Sequence, residues 1–215
     1  MQLLFCPEDM HSQKVLIALY EKLAQFDSQA VDIHDPSDMR FLAQIDPFAS
    51  VPLLQLKPNT VVAQATIIIE FLDEELQQGS QLIPHEPNLA REVRYLDSII
   101  QQHLYEPLLE LKRQHQLKLP QQNRSTIQQC EHAINSCLSV LENRFEANYW
   151  SVADGFSLAD CTLIPALSLA CSVYPFSHMH QLNRYWQQVK FRGSYQLLQQ
   201  QLNDMKGFEN PFIAS

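Results

Sequence analysis

Apolar positions in the first 76 residues switch repeatedly between strand and helix periods. Leu3-Leu4-Phe5-Cys6 is a short apolar run of strand type, and residues 12–23 follow the helical period with Val15, Leu16, Leu19 and Leu23 on one face. Ser12 is placed to cap that helix. Phe26 to Ile33 alternates toward Val31 and Ile33 and predicts a second strand, His34-Asp35-Pro36-Ser37-Asp38 a polar turn, and Met39 to Ile45 a short helix stopped by Asp46-Pro47. Val51 to Leu56 reads as a strand, Lys57-Pro58-Asn59-Thr60 as a hairpin turn, Val61 to Ala63 as its returning partner, and Ala65 to Leu76 as a closing helix. The predicted order is β-α-β-α-β-β-α.

Beyond residue 76 the pattern changes. Residues 77–88 are polar and carry Gly79, Pro84 and Pro87, which marks a linker. Every later periodic stretch is helical: 89 to about 117, with a kink expected at Pro107; 123 or 125 to 145, with Ile127, Cys130, Ile134, Cys137, Leu138 and Leu141 in register; the strongly apolar 158–173; and two amphipathic runs near 180–190 and 193–205. The fold class is therefore α+β in two domains, a mixed unit at 1–76 and an all-α unit at 89–215, joined by the linker 77–88.

Composition narrows the function. Four glycines in 215 residues, Gly79, Gly155, Gly193 and Gly207, stand far apart, which excludes a P-loop, a dinucleotide fingerprint or a kinase loop. A formal charge of −9 argues against direct binding to nucleic acid, because that binding rests on Lys and Arg neutralising phosphates. Cys6, Cys130, Cys137, Cys161 and Cys171 form no Cys-x-x-Cys pair and no zinc-type spacing with His, so they read as free thiols of a reducing compartment, with no metal site. Met1-Gln2 runs straight into Leu3-Leu4-Phe5 without a basic, long apolar leader, and no apolar run approaches the roughly 20 residues of a membrane span. The expectation is a cytoplasmic protein away from membranes.

Two local motifs carry a resemblance. Ser50-Val51-Pro52-Leu53 puts a proline at the start of the third strand, and Phe156-Ser157-Leu158-Ala159-Asp160 has the spacing of a capping box, with Ser157 and Asp160 satisfying amides at a buried helix start. In this order the chain resembles the glutathione transferases, with a thioredoxin-like domain followed by a helical one. The resemblance implies a cis bond before Pro52, pairing of the Val51 backbone with the glutathione peptide, and a structural role for Ser157 and Asp160. It also implies a γ-glutamyl carboxylate site at the start of the third helix, where the family has a Glu/Gln-Ser pair and this chain has Gln64-Ala65. The absent hydroxyl removes one charge-assisted hydrogen bond, about 1.5–3 kcal/mol or about tenfold to a hundredfold in affinity. Glutathione is thus expected as a weak ligand at most, and no other cofactor is implied.

The turn after the first strand departs further from an enzyme. Transferases of this fold place a Tyr, Ser or Cys there to act on the glutathione sulfur. Here the turn is Cys6-Pro7-Glu8-Asp9-Met10-His11-Ser12, without a tyrosine and with Asp9 about where Ser-type enzymes have serine. A carboxylate opposes a thiolate. Cys6-Pro7 keeps an alternative open, resembling glutaredoxins and Cys-type transferases, with Cys6 as nucleophile of a glutathione-dependent transferase or thiol-disulfide oxidoreductase. Glu8 and Asp9 work against it. His11 beside Asp9 reads as a turn residue and not an acid/base pair; His115, His178 and His180 read as surface or capping residues, and Tyr149, Trp150, Tyr185 and Trp186 as packing.

Pro7-Glu8-Asp9-Met10-His11-Ser12-Gln13-Lys14-Val15 is more specific, because it resembles the P-x-D-[I/M]-[Y/H]-S-x-x-V segment of the stringent starvation protein A family. Ile69-Glu70-Phe71-Leu72-Asp73-Glu74, Leu82-Ile83-Pro84 and Phe156 to Cys161 with Pro165 agree with it across both domains. That resemblance implies a noncatalytic bacterial homodimer that binds RNA polymerase holoenzyme under starvation or stress, with contacts at Pro7, Asp9, His11, Ser12, Gln77 and Gln78. One departure stands out: Leu76-Gln77-Gln78-Gly79-Ser80 replaces the Pro-His-Pro surface motif of that family.

Overall fold

The computed structural model describes residues 1–57 and 60–208; the turn expected at Lys57-Pro58-Asn59-Thr60 lies partly outside them. Among the described residues, contacts gather those of 1–79 with 190–208 into one unit and residues 80–189 into another.

In the first unit, strands β1 (Gln2–Phe5), β2 (Asp27–Ala30), β3 (Leu53–Lys57) and β4 (Thr60–Ala63) form one sheet in the order β2-β1-β3-β4. β2 runs parallel to β1, and β3 and β4 are antiparallel additions, as the predicted element order requires. Helices α1 (Met10–Glu21), α2 (Pro36–Ile45) and α3 (Ala65–Glu75) complete the thioredoxin-like pattern. Leu4, Val31, Leu42 and Leu53 form a core cluster joined by Met39, Ile45 and Val51.

Several local expectations change. Ser12 is not the cap of α1: Asp9 is, its carboxylate accepting the Ser12 amide at 2.8 Å, because it stands three residues before that orphan donor, in the capping position, while Ser12 already lies inside the first turn. Leu23, expected on the apolar face of α1, lies beyond its end at φ 51° and is exposed. β2 is shorter than the alternation suggests, and all four of its residues are exposed. The polar turn at 34–38 is largely helix, since Asp35 caps α2 by accepting the Ser37 amide and Pro36 occupies the first helical position.

Burial on α1 is not confined to one face; Met10, Ser12, Lys14, Val15, Leu16, Ile17, Ala18, Leu19 and Glu21 are all buried. The cause is distant in sequence. α9 (Gly193–Phe208), expected with the helical domain 89–215, packs on α1 instead. Arg192 donates two bonds to the Glu21 carboxylate at 2.6 and 2.7 Å, Ser194 Oγ adds a third at 2.5 Å, Tyr20 hydrogen-bonds Gln201, and Gln201 reaches Ser28. Gly79 sits at φ +74°, and a Cβ there would stand 1.9 Å from the Glu21 carbonyl oxygen. Only glycine lets the chain leave α3 so close to α1.

The second unit holds α4 (Pro87–Ile100), α5 (Glu106–Gln116), α6 (Arg124–Ala147), α7 (Leu158–Val173) and most of α8 (His180–Lys190). Part of the expected linker is helical, because Glu86 accepts the Asn88 and Leu89 amides and Pro87 opens α4. The kink expected at Pro107 is a π-type turn over Gln101–Tyr105 between α4 and α5. Proline has no N–H to return to the carbonyl four residues back, and the wider turn just before it accommodates that loss. Among the described residues no helix is long and apolar enough to cross a membrane.

Candidate functional site

Strand register brings the expected glutathione-site residues to one end of the sheet. Leu4 pairs with Leu53, so the same antiparallel register carried two places on sets Cys6 opposite Val51. Leu53 pairs with Ala63, and the next step sets Pro52 beside Gln64. The N-termini of α1 and α3 follow directly from these strand ends. The Val51-Pro52 bond is cis, as the resemblance implies.

The start of α3 is unusual in its backbone. Gln64 stands at φ 72°, ψ 123°, a region that costs a non-glycine residue of the order of 1–3 kcal/mol, and its side chain makes no capping bond. Its carbonyl accepts the Ile68 amide at 2.9 Å, so the helix starts there regardless. Ala65 is buried at the first helical position, where a serine would have presented a hydroxyl. An anion arriving here meets helix amides and the positive end of the dipole but no side-chain donor from residue 65.

The turn before α1 is closed by its own groups. The Asp9 amide donates to the Cys6 carbonyl at 3.1 Å, and Gln13 Nε2 donates to the Pro7 carbonyl at 2.7 Å. Ser12 Oγ accepts the Cys6 amide at 3.1 Å, and Ser12 is wholly buried. Both polar side chains that could face a bound sulfur, Asp9 and Ser12, are therefore committed to holding the backbone. Ser12, expected as a partner contact, shapes the turn from beneath; Glu8 is exposed, and Pro7, Asp9 and His11 are half-buried. Gln77 and Gln78 are exposed at the end of α3.

Cys6 is 8% exposed. Burial pushes its thiol pKa up; hydrogen bonds from the Glu8 and Asp9 amides pull it down, and the charges of Asp9 and Glu8 push it up again, with a net rise. Amides aimed at a sulfur are the geometry a reactive cysteine needs, but burial and two acidic neighbours outweigh them.

Sequence reading missed Lys14. It is fully buried on α1, and its Nζ donates to Thr66 Oγ1 at 2.9 Å, the residue next to Ala65. The available signal was its place between Met10 and Ala18 on the helix, but a lysine reads as solvated without tertiary contacts. Lys22, also buried, pairs with Asp73 on α3 at 3.0 Å.

In the second unit Ser157 and Asp160 form the expected capping box at α7. Asp160 is wholly buried and accepts from the Ser151 amide and hydroxyl at 2.9 and 2.7 Å, the Ser157 amide and hydroxyl at 2.9 and 3.0 Å, and Tyr185 Oη at 3.0 Å. Among the described residues no cluster of three His, Cys, Asp or Glu side chains could hold a metal ion.

Comparison with known proteins places these features. Residues 10–75 match the family model of the glutathione S-transferase N-terminal domain, and residues 100–190 that of the glutathione S-transferase C-terminal domain. A stringent starvation protein A homolog of Coxiella burnetii is 27% identical over 162 residues, 75% of this chain and 71% of that protein. Another from Haemophilus ducreyi is 27% identical over 159 residues, 74% and 69% of the two chains. A glutathione S-transferase from Methylobacillus flagellatus with glutathione bound superposes with a TM-score of 0.81 at 20% identity, covering 92% of this chain and 98% of that one. Gtt2 from Saccharomyces cerevisiae gives 0.77 at 20% identity, with 92% and 100% coverage.

Proposed function

Since the chain belongs to the glutathione S-transferase family, we propose that it is a noncatalytic, protein-binding member that acts, as its resemblance to the stringent starvation protein A family implies, by association with bacterial RNA polymerase. The observation that carries this reading is the self-closed turn after β1. Asp9 and Ser12 spend their side chains on the Ser12 and Cys6 amides, which leaves the position that would serve a glutathione sulfur filled by a structural carboxylate. Ala65 at the start of α3 supports it from the other end of the site, since the hydroxyl that would fix the γ-glutamyl carboxylate is missing. The acidic chain acts on transcription through protein contact and not by gripping DNA, as a homodimer in the cytoplasm. Pro7, Asp9 and His11, shaped by Ser12, and Gln77 and Gln78 supply the contact surface. Retention of RNA polymerase holoenzyme on the immobilised protein at physiological salt is the expected result, and no retention overturns the reading.

A second reading, a glutathione-dependent enzyme using Cys6, is favoured by the strained Gln64 at the start of α3 and by the Glu8 and Asp9 backbone amides, which lower the Cys6 thiol pKa against its burial. Isothermal titration with glutathione separates the two. Binding tighter than millimolar, with mixed-disulfide reduction lost in Cys6→Ser, supports the enzyme; absent or millimolar binding supports the scaffold.

A further inference from the structure

We propose that the outer edge of β2 is a docking site for an extended, basic segment of a partner protein, which joins the sheet as a fifth strand. The Asp27 and Val31 amides donate inward to the Met1 and Phe5 carbonyls at 3.0 and 2.9 Å. The period of two in a strand therefore turns the N–H and C=O groups of Ser28 and Ala30 outward. Those backbone groups meet no partner among the described residues. β2 is the terminal strand of the order β2-β1-β3-β4, and all four of its side chains are exposed.

Native proteins usually blunt such an edge with lysine, proline, a bulge or a covering element. β2 has no lysine, no proline and no register shift against β1, and Gln201 of α9 takes the Ser28 hydroxyl, not its backbone groups. Charge decides the kind of strand that fits. Residues 23–39 contain Asp27, Asp32, Asp35 and Asp38 and no Lys or Arg. Residues 1–79 and 190–208, the unit that holds β2, carry 13 Asp and Glu against 7 Lys and Arg, and none of the seven cations falls within 23–39. Ile33, 41% exposed just beyond the strand, offers one apolar anchor. Backbone pairing supplies affinity in strand addition, and flanking side chains supply selection. A lysine- or arginine-rich segment meets that selection, and an acidic one is repelled. The inference rests on the protein-binding reading but not on the identity of the polymerase as partner.

A fluorescein-labelled decapeptide of alternating Lys and Val, its Glu-Val counterpart and the full chain test it by fluorescence anisotropy, with amide hydrogen exchange read at Ser28 and Ala30. The Lys-Val peptide should bind, slow exchange at both amides, and weaken as salt rises; the Glu-Val peptide should not bind. Ala30→Pro removes one outward N–H that takes no part in the β1 ladder, and should lower affinity at least tenfold while exchange at Leu4 and Leu54 stays protected. Asp32→Lys should also weaken binding. Absence of binding, exchange at Ser28 and Ala30 unchanged by the bound peptide, or full affinity in Ala30→Pro overturns the proposal. If Ala30→Pro does not fold, the exchange readout on the wild type decides alone. Failure here with polymerase still retained would remove the edge and leave the function; success here without polymerase would do the reverse.

Discussion

Replacing Asp160 by alanine should unfold the helical unit far more readily than loss of an ordinary cap. A surface N-cap is worth about 0.5–2 kcal/mol. Asp160 is wholly buried and gathers five donors from Ser151, Ser157 and Tyr185, at 2.7 to 3.0 Å. The three hydroxyls can rotate toward other acceptors, but the Ser151 and Ser157 amides are fixed by the backbone. Two buried amides left unsatisfied cost about 1–3 kcal/mol each. Against that, the substitution releases a carboxylate whose burial is itself unfavourable and raises its pKa. The net expectation is a loss of about 2–5 kcal/mol for Asp160→Ala. Asp160→Asn should lose a similar amount, because its NH₂ turns toward donors. Trp150 and Trp186 are the chain's two tryptophans, and both lie within residues 80–189. The Trp150 ring stands edge-on 5.2 Å from Phe156 and 6.0 Å from Tyr185. Urea unfolding followed by tryptophan fluorescence therefore reports on the unit concerned, and with a slope of about 2 kcal/mol/M the midpoint should fall by about 1–2.5 M. A loss under about 1 kcal/mol would show that the hydroxyls and amides re-pair locally and would refute the reasoning.

Other outcomes follow from the same contacts. Ala65→Ser restores a donor at the start of α3 and should strengthen glutathione binding about tenfold to a hundredfold by isothermal titration; unchanged binding would place the ligand elsewhere. The Cys6 thiol titrates above its ordinary value and Cys137 is pushed up to about 12, so at pH 8 iodoacetamide should modify exposed Cys171 well before either, read by peptide mass spectrometry. Cys6 reacting first would restore the enzyme reading. Arg113 and Gln114 hold Glu110 down to about 2, below its ordinary 4.5. A carboxylate pKa depressed in the folded state gives stability that is present above the unfolded value and is lost as pH falls through the folded one, here from about pH 4.5 down to about pH 2. Carboxyl-carbon NMR should find the Glu110 midpoint near the lower end of that window, and a midpoint near 4.5 would break the assignment.

What the sequence shows well is local chemistry. Pro52, Ser157 and Asp160 act within a few residues of themselves, so their spacing sufficed to place a strand start and a helix start. Asp35-Pro36 is equally local, yet its residue types fit a turn as well as a helix cap, so the spacing alone does not separate the two. The misplacement of α9 had a different cause. Its packing on α1 joins residues some 170 positions apart, through Glu21 with Arg192 and Ser194, and no window of periodicity spans that distance. The same contact explains the burial around α1, which the reading of one apolar face left out. Lys14 and Lys22 have a third cause, since both lie where α1 meets α3. Each is drawn inside to Thr66 or Asp73 of α3, so cations that count against the acidic total in composition are absent from the surface. Asp73 and Glu21 are drawn in with Lys22 and Arg192, so the acidity an approaching partner meets is that of the exposed loop carboxylates. The field meets that partner along 27–38, where the chain has no cation of its own to offset it.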